Sequence, residues 1–193
     1  SGMMTVGGIR QEAERVMRGT TPKDAVNVYE AIRVARPGGL RSVPELDVNS
    51  DASRTDIIQK NISLFKVFEI SSSWDAISRE LVTGMRVTFE IGYPTFNKTL
   101  EQTQDINTAT VHTFLTILSK ETDTLIVRKS GESAAQNVSK RAKEILEAGG
   151  LTSTRGKRMI QNLDDDLAKE GGKSNPGTTA DLTSSSIMVA LLE

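Results

Sequence analysis

The chain has 193 residues, of which 37% are hydrophobic and 25% charged, the balance of a water-soluble globular domain with a substantial aliphatic core. It has no cysteine and one histidine, His112, which excludes disulfides, thiolate chemistry and multi-histidine metal sites. A formal net charge of −1 and the lack of any bilayer-length apolar run predict neither nucleic acid nor membrane as partner.

The opening Ser1-Gly2-Met3-Met4 has no secretory signal and reads as an expression remnant before a natural methionine, so the fold is expected to begin near Thr5. Residues 9–18 form a short charged helix with Ile9, Ala13, Val16 and Met17 on one face. Thr21 and Pro22 restart a helix whose stripe is Ala25, Val28, Tyr29, Ile32 and Ala35, and Arg36-Pro37-Gly38-Gly39 stops it. Residues 40–53 are polar and aperiodic, a loop. A helix is expected over 56–70, and Ser73 is placed to cap another over 74–82. Residues 86–91 alternate like a strand, but a lone strand has nothing to pair with, so a helix is expected there too. Asp105 caps a helix over 106–119; another runs from 132 to 148, ended by Gly149-Gly150, and a last amphipathic one covers about 156–169. These elements predict an all-α, single-domain multi-helix bundle over residues 5–193.

The C-terminal stretch is a polar, glycine-containing loop that opens directly into an apolar helix. Asn175 is placed as its N-cap and Pro176 as its first helical residue. The amides of Gly177, Thr178 and Thr179 would then face whatever covers the helix start, with the dipole favouring an anion such as phosphate. Asp181 lies one turn further on. An ordinary capped helix is the alternative.

Four stretches resemble the triphosphoribosyl-dephospho-CoA synthase family: residues 24–40 (DAVNVYEAIRVARPGGL), 112–118 (HTFLTIL), 123–131 (DTLIVRKSG) and 175–182 (NPGTTADL). The last two match in both type and spacing of their polar residues, and the resemblance extends over nearly the whole chain from Ile9. It implies an all-helical enzyme that joins the triphosphoribosyl part of ATP to the 2′-hydroxyl of 3′-dephospho-CoA and releases adenine. The product is the precursor of the prosthetic group of citrate and malonate lyase-type acyl carrier proteins. Family members usually carry an N-terminal Pro-Lys-Pro-Gly-Asn-like motif and a His/Asp-rich stretch, neither of which occurs here. The expectation is therefore a C-terminal part of such an enzyme, or a short relative.

With that chemistry in view, Arg128 and Lys129 are the candidate triphosphate clamp, one bidentate and planar, the other a point charge. Asn175, Gly177, Thr178 and Thr179 complete the expected nucleotide site, and Gly38 and Gly39 would let backbone approach a ligand closely. Asp123 and Asp181 are the candidate catalytic carboxylates and Mg²⁺ ligands. The plain alternatives are helix capping for Asp123 and a solvated helix end, paired with Glu132, for Arg128 and Lys129. His112 is read as a core-edge residue. Residues 123–131 and 175–181 are expected side by side across one site, and the apolar C-terminus predicts a homo-oligomer. A cytoplasmic nucleotide-dependent transferase using ATP, Mg²⁺ and 3′-dephospho-CoA is the first reading. A non-catalytic helical relative that binds nucleotide or self-associates is the second.

Overall fold

The computed structural model describes residues 5–193 except Gly39, Arg41, Pro44 and Glu170. Among the described residues the chain is all-α, with eleven α-helices, one π-helical stretch and one 3-10 turn, and no strand. Its contacts divide it into two compact units: Arg10–Met85, and Arg86–Glu193 together with the first residues through Ile9.

The smaller unit holds most of α1 (Val6–Arg18), then α2 (Pro22–Ala35), α3 (Asp51–Gln59), α4 (Leu64–Ser71) and α5 (Ala76–Val82). A reciprocal capping box starts α2: Thr21 accepts from the Asp24 amide while Asp24 accepts from the Thr21 amide. Ala25, Tyr29, Ile57, Leu64 and Val67 form its buried core. The helix expected over 56–70 is two helices. Asn61 adopts a left-handed conformation (φ 52°), which asparagine tolerates, and Ser63 then caps α4 by accepting from the Lys66 amide. The α5 cap is Asp75 rather than Ser73, because its carboxylate accepts from the Ser78 amide at 2.9 Å.

The larger unit begins with a helical run from Arg86 to Thr103, as expected despite the β-branched residues. Thr88–Gly92 are π-helical, and α6 (Tyr93–Thr103) follows. The wider turn, in which the Tyr93 amide bonds the Thr88 carbonyl, precedes Pro94, which has no N–H and crowds the carbonyl four residues back. Then come α7 (Ile106–Lys120), α8 (Thr124–Ser130), α9 (Glu132–Glu147), the 3-10 turn Gly150–Thr152, α10 (Thr154–Lys169) and α11 (Gly177–Leu192). Asp105 caps α7 through the Asn107 and Thr108 amides. Gly131 separates α8 from α9 at φ 91°, a backbone angle that favours glycine.

Leu115, Leu118, Ile126, Ala135, Val138, Ala142, Ile145 and Leu163 form the core of this unit. Each fully buried leucine or isoleucine contributes about 1.5–3 kcal/mol. The inner face of α11 is different in kind: Thr178, Thr179, Thr183 and Ser186 are buried there beside Leu182 and Val189. Small residues let backbones approach. At Gly92 an added Cβ would lie 1.9 Å from the Ser186 hydroxyl oxygen, and the Thr88 and Ser185 hydroxyls bond at 3.1 Å.

Candidate functional site

The segments 123–131 and 175–181 do lie side by side, and their junction is built around one carboxylate. Asp123 is 1% exposed. Its Oδ1 accepts from the amides of Leu125 (3.0 Å) and Ile126 (3.1 Å), capping α8, so the plain alternative read for Asp123, a helix cap, is what the structure has. Its Oδ2 accepts from the Thr179 amide (2.8 Å) and the Thr179 hydroxyl (2.9 Å), capping α11 from outside. One aspartate therefore serves two helix starts, each of which places partial positive charge beside it.

The rest of the junction follows the same pattern. Thr178 accepts from the Leu125 amide at 3.2 Å and shares a 3.4 Å contact with the Thr124 hydroxyl. The buried Ser174 donates to Ser130 at 3.2 Å. Pro176, not Asn175, occupies the N-cap position of α11 and offers no side-chain bond; Asn175 is exposed. The start of α11, expected to face a ligand, meets Asp123 instead. The Gly177 amide turns back to the Asn175 carbonyl at 2.9 Å.

Arg128 and Lys129 occupy the last turn of α8. Arg128 lies four residues beyond Thr124 and so shares the helix face that meets the start of α11. It is half-buried, with Nε shut off from water, while Lys129 is exposed. Asp181 is exposed. It is two residues beyond Thr179, about 200° around the helix, so the structure does not bring it to the Asp123 side of α11. Among the described residues no group of three or more His, Asp or Glu side chains is placed to hold a metal ion. Both Asp123 oxygens already take two donors each, so the residues present do not fit a resident Mg²⁺ held between Asp123 and Asp181.

A family model described as CitG, ATP:dephospho-CoA triphosphoribosyl transferase, matches residues 2–193. The chain belongs to this family. Among its CitG relatives is a 2-(5''-triphosphoribosyl)-3'-dephosphocoenzyme-A synthase of Klebsiella pneumoniae, 30% identical over 89 residues, 46% of this chain and 29% of that one. A Pseudomonas fluorescens protein named for the same activity is 27% identical over 114 residues, 59% of this chain and 38% of its own length. These alignments span less than half the length of the curated relatives. The crystal structure of a triphosphoribosyl-dephospho-CoA synthase homologue from Archaeoglobus fulgidus superposes with TM-score 0.76 and 28% identity, covering 100% of this chain and 75% of that one.

One further feature of this CitG-family chain was not singled out from its sequence, and His112 was read as a core-edge residue. Arg86, ahead of the π-helical stretch, pairs with Glu121, two residues before Asp123. Glu121 is 16% exposed and Arg86 40%, so the pair brings a partly open guanidinium to the approach to α8. Only the long-range pairing marks them, and a sequence shows no such pairing. His112 stands half-buried on α7, its pKa held below the usual histidine value by desolvation and then by the nearby Lys98 ammonium. Of the expected glycines, Gly38 is exposed in the smaller unit and Gly39 lies outside the described residues.

Proposed function

We propose that this chain serves triphosphoribosyl transfer from ATP to 3′-dephospho-CoA, and that the triphosphate is held at the C-terminal turn of α8. The family match over residues 2–193 supports the reaction, and the placement of Arg128 and Lys129 on a helix locked by Asp123 carries the site. In the reaction the C1′–N bond of ATP to adenine breaks and a bond from C1′ to the 2′-oxygen of dephospho-CoA forms. The hydroxyl loses its proton, and the departing adenine takes one up. The intervening state has oxocarbenium character, as in glycoside transfer.

In this reading Arg128 and Lys129 bind phosphate oxygens, the first through its planar fork. Asn175, exposed in the loop next to Ser174, is a further candidate polar contact, while Thr178, Thr179 and Gly177 hold the junction in shape. Asp123 is a positioning residue. Asp181, exposed in the second turn of α11, is the candidate proton acceptor. Mg²⁺ enters as part of the substrate Mg-ATP, its shell completed by phosphate and water. The enzyme works in the cytoplasm and self-associates through the exposed Met188, Leu191 and Leu192 of α11.

Calorimetric titration with Mg-ATP, alongside an assay of adenine release with 3′-dephospho-CoA, tests this. Arg128→Ala is expected to bind Mg-ATP about tenfold more weakly, as loss of one charge-assisted contact implies. Absence of binding by the wild type would leave a second reading, that of a non-catalytic relative. The observation favouring that one is the internal use of Asp123, Thr178 and Thr179.

A further inference from the structure

Helix α10, in the larger unit, carries its charges in two blocks. Arg155, Lys157 and Arg158 come first, and Asp164, Asp165 and Asp166 follow. Its inner face is settled, because Met159, Ile160, Leu163 and Leu167 pack into the core of that unit. Gly156 lies so close to Gly150 that an added Cβ would stand 2.1 Å from the Gly150 carbonyl oxygen. A helix turns about 100° per residue, so the line opposite that face runs through Thr154, Arg158, Gln161, Asp165 and Ala168. All five are exposed, and they alternate in steps of four and three residues, the interval at which one helix lies along another. Lys157 and Asp164 flank that line on one side, and Arg155 and Asp166 flank it on the other.

Within one copy this arrangement is unfavourable. Arg155 and Lys157 stand in the first turn, where the helix dipole disfavours cations, and that turn holds no acidic residue. Neither they nor Arg158 form an ion pair among the described residues. Asp166 is held by Arg141 at 3.0 Å and by Lys169 at 3.1 Å. Asp165 accepts from the Gln161 side chain at 2.9 Å, and neither it nor Asp164 has an ion pair among the described residues. Lys157 lies two turns from Asp164 on the same flank, and Arg158 two turns from Asp165, so the charges cannot meet within their own helix.

We propose that a second copy of this chain covers the outer face of α10, the two helices lying antiparallel about a two-fold axis at Gln161. Arg158 then faces Asp165 of the second copy and Lys157 faces its Asp164, and the axis makes each pair twice. The two helix dipoles run in opposite directions, which also favours the pairing. A parallel alignment would set each block against its own sign. The face is polar and only about 24 Å long, so the contact is weak, governed by charge and dissolved by salt. It uses none of the α11 residues named above and does not depend on the transferase reading.

The test is sedimentation equilibrium on the whole chain at about 0.1 M and about 1 M salt, between which the screening length falls from about 10 Å to about 3 Å. One variant carries Lys157→Glu with Arg158→Glu, and another Asp164→Lys with Asp165→Lys. All four positions are exposed, and thermal melting checks that each variant is folded. The single exchanges Arg158→Glu and Asp165→Lys replace either double variant that melts early. Wild type is expected to self-associate at the lower salt and at least tenfold more weakly at the higher. Each variant alone, its α10 now facing like charge, should lose at least tenfold at the lower salt, whereas an equimolar mixture of the two should associate at least as tightly as wild type. A wild type that stays monomeric, or whose association salt leaves unchanged, overturns the inference. So does a variant that associates as wild type does, or a mixture no tighter than its components. Association through α11 alone would survive both the exchanges and the salt.

Discussion

Asp123 and Thr179 stand 56 positions apart and are joined twice, with the Thr179 amide and hydroxyl both donating to one carboxylate oxygen. Because the other oxygen caps α8, the side chain holds two helix starts in a fixed relation. Asp123→Asn keeps the shape but turns an NH₂ donor toward N–H or O–H donors. It is expected to destabilise the fold by about 3 kcal/mol, since bonds to a charged acceptor are worth about 1.5–3 kcal/mol each and unmet buried donors add to the loss. Thr179→Val, which removes only the hydroxyl, should cost about 1 kcal/mol. Urea denaturation reads both. An unchanged midpoint for Asp123→Asn, with ligand binding lost, would make Asp123 a ligand contact instead of a brace.

Gly92 is where α11 meets the π-helical stretch, and there is no room for a methyl group. Its Cβ would lie 1.9 Å from the Ser186 oxygen, 2.6 Å from the Ser186 Cβ and 3.2 Å from Ile117 Cδ1. Gly92→Ala is expected to lower stability by roughly 1–3 kcal/mol through overpacking. Ser186→Gly removes the two closest atoms and should restore part of that loss in the double variant. Additive effects in a double-mutant cycle would refute the contact.

His112 resists protonation in the folded state because it is desolvated, with Lys98 contributing less. The unfolded chain binds that proton more readily, so stability from this group is fully present above the ordinary histidine pKa of about 6.5. It is lost as pH falls through the folded value. Lys98→Met should raise the His112 pKa, though not back to normal, because burial is the larger cause. An NMR titration of the single histidine gives the answer directly. No movement in Lys98→Met would remove Lys98 from the account.

The sequence made the helices readable wherever a local cap spoke for itself. Thr21 with Asp24, and Asp105 with Thr108, announce α2 and α7 in four residues each. The junction of residues 123–131 with 175–181 was legible as a neighbourhood, since both segments are polar stretches between apolar ones. The geometry inside it was not. Asp123 reads equally as a catalytic carboxylate or a cap of its own helix, and Asn175 as a cap, until the chain folds Thr179 onto Asp123. The start of α8 was legible only as an alternative, a cap at Asp123, because a seven-residue helix shows too little periodicity to stand out. The pairing of Arg86 with Glu121, 35 positions apart, leaves no local trace at all.

The cap of α11 is borrowed, and that bears on the order in which the chain assembles. No side chain of its own closes the first turn; the closing carboxylate sits at the start of α8. An isolated helix of 16 residues without a cap is marginal in water, so α11 is expected to gain its full length only when that distant partner is in place. A synthetic peptide of residues 172–193 is accordingly expected to show little helical circular dichroism. In the whole chain, hydrogen exchange at Thr178 and Thr179 should report docking of α11, the closing of a latch at the end of folding.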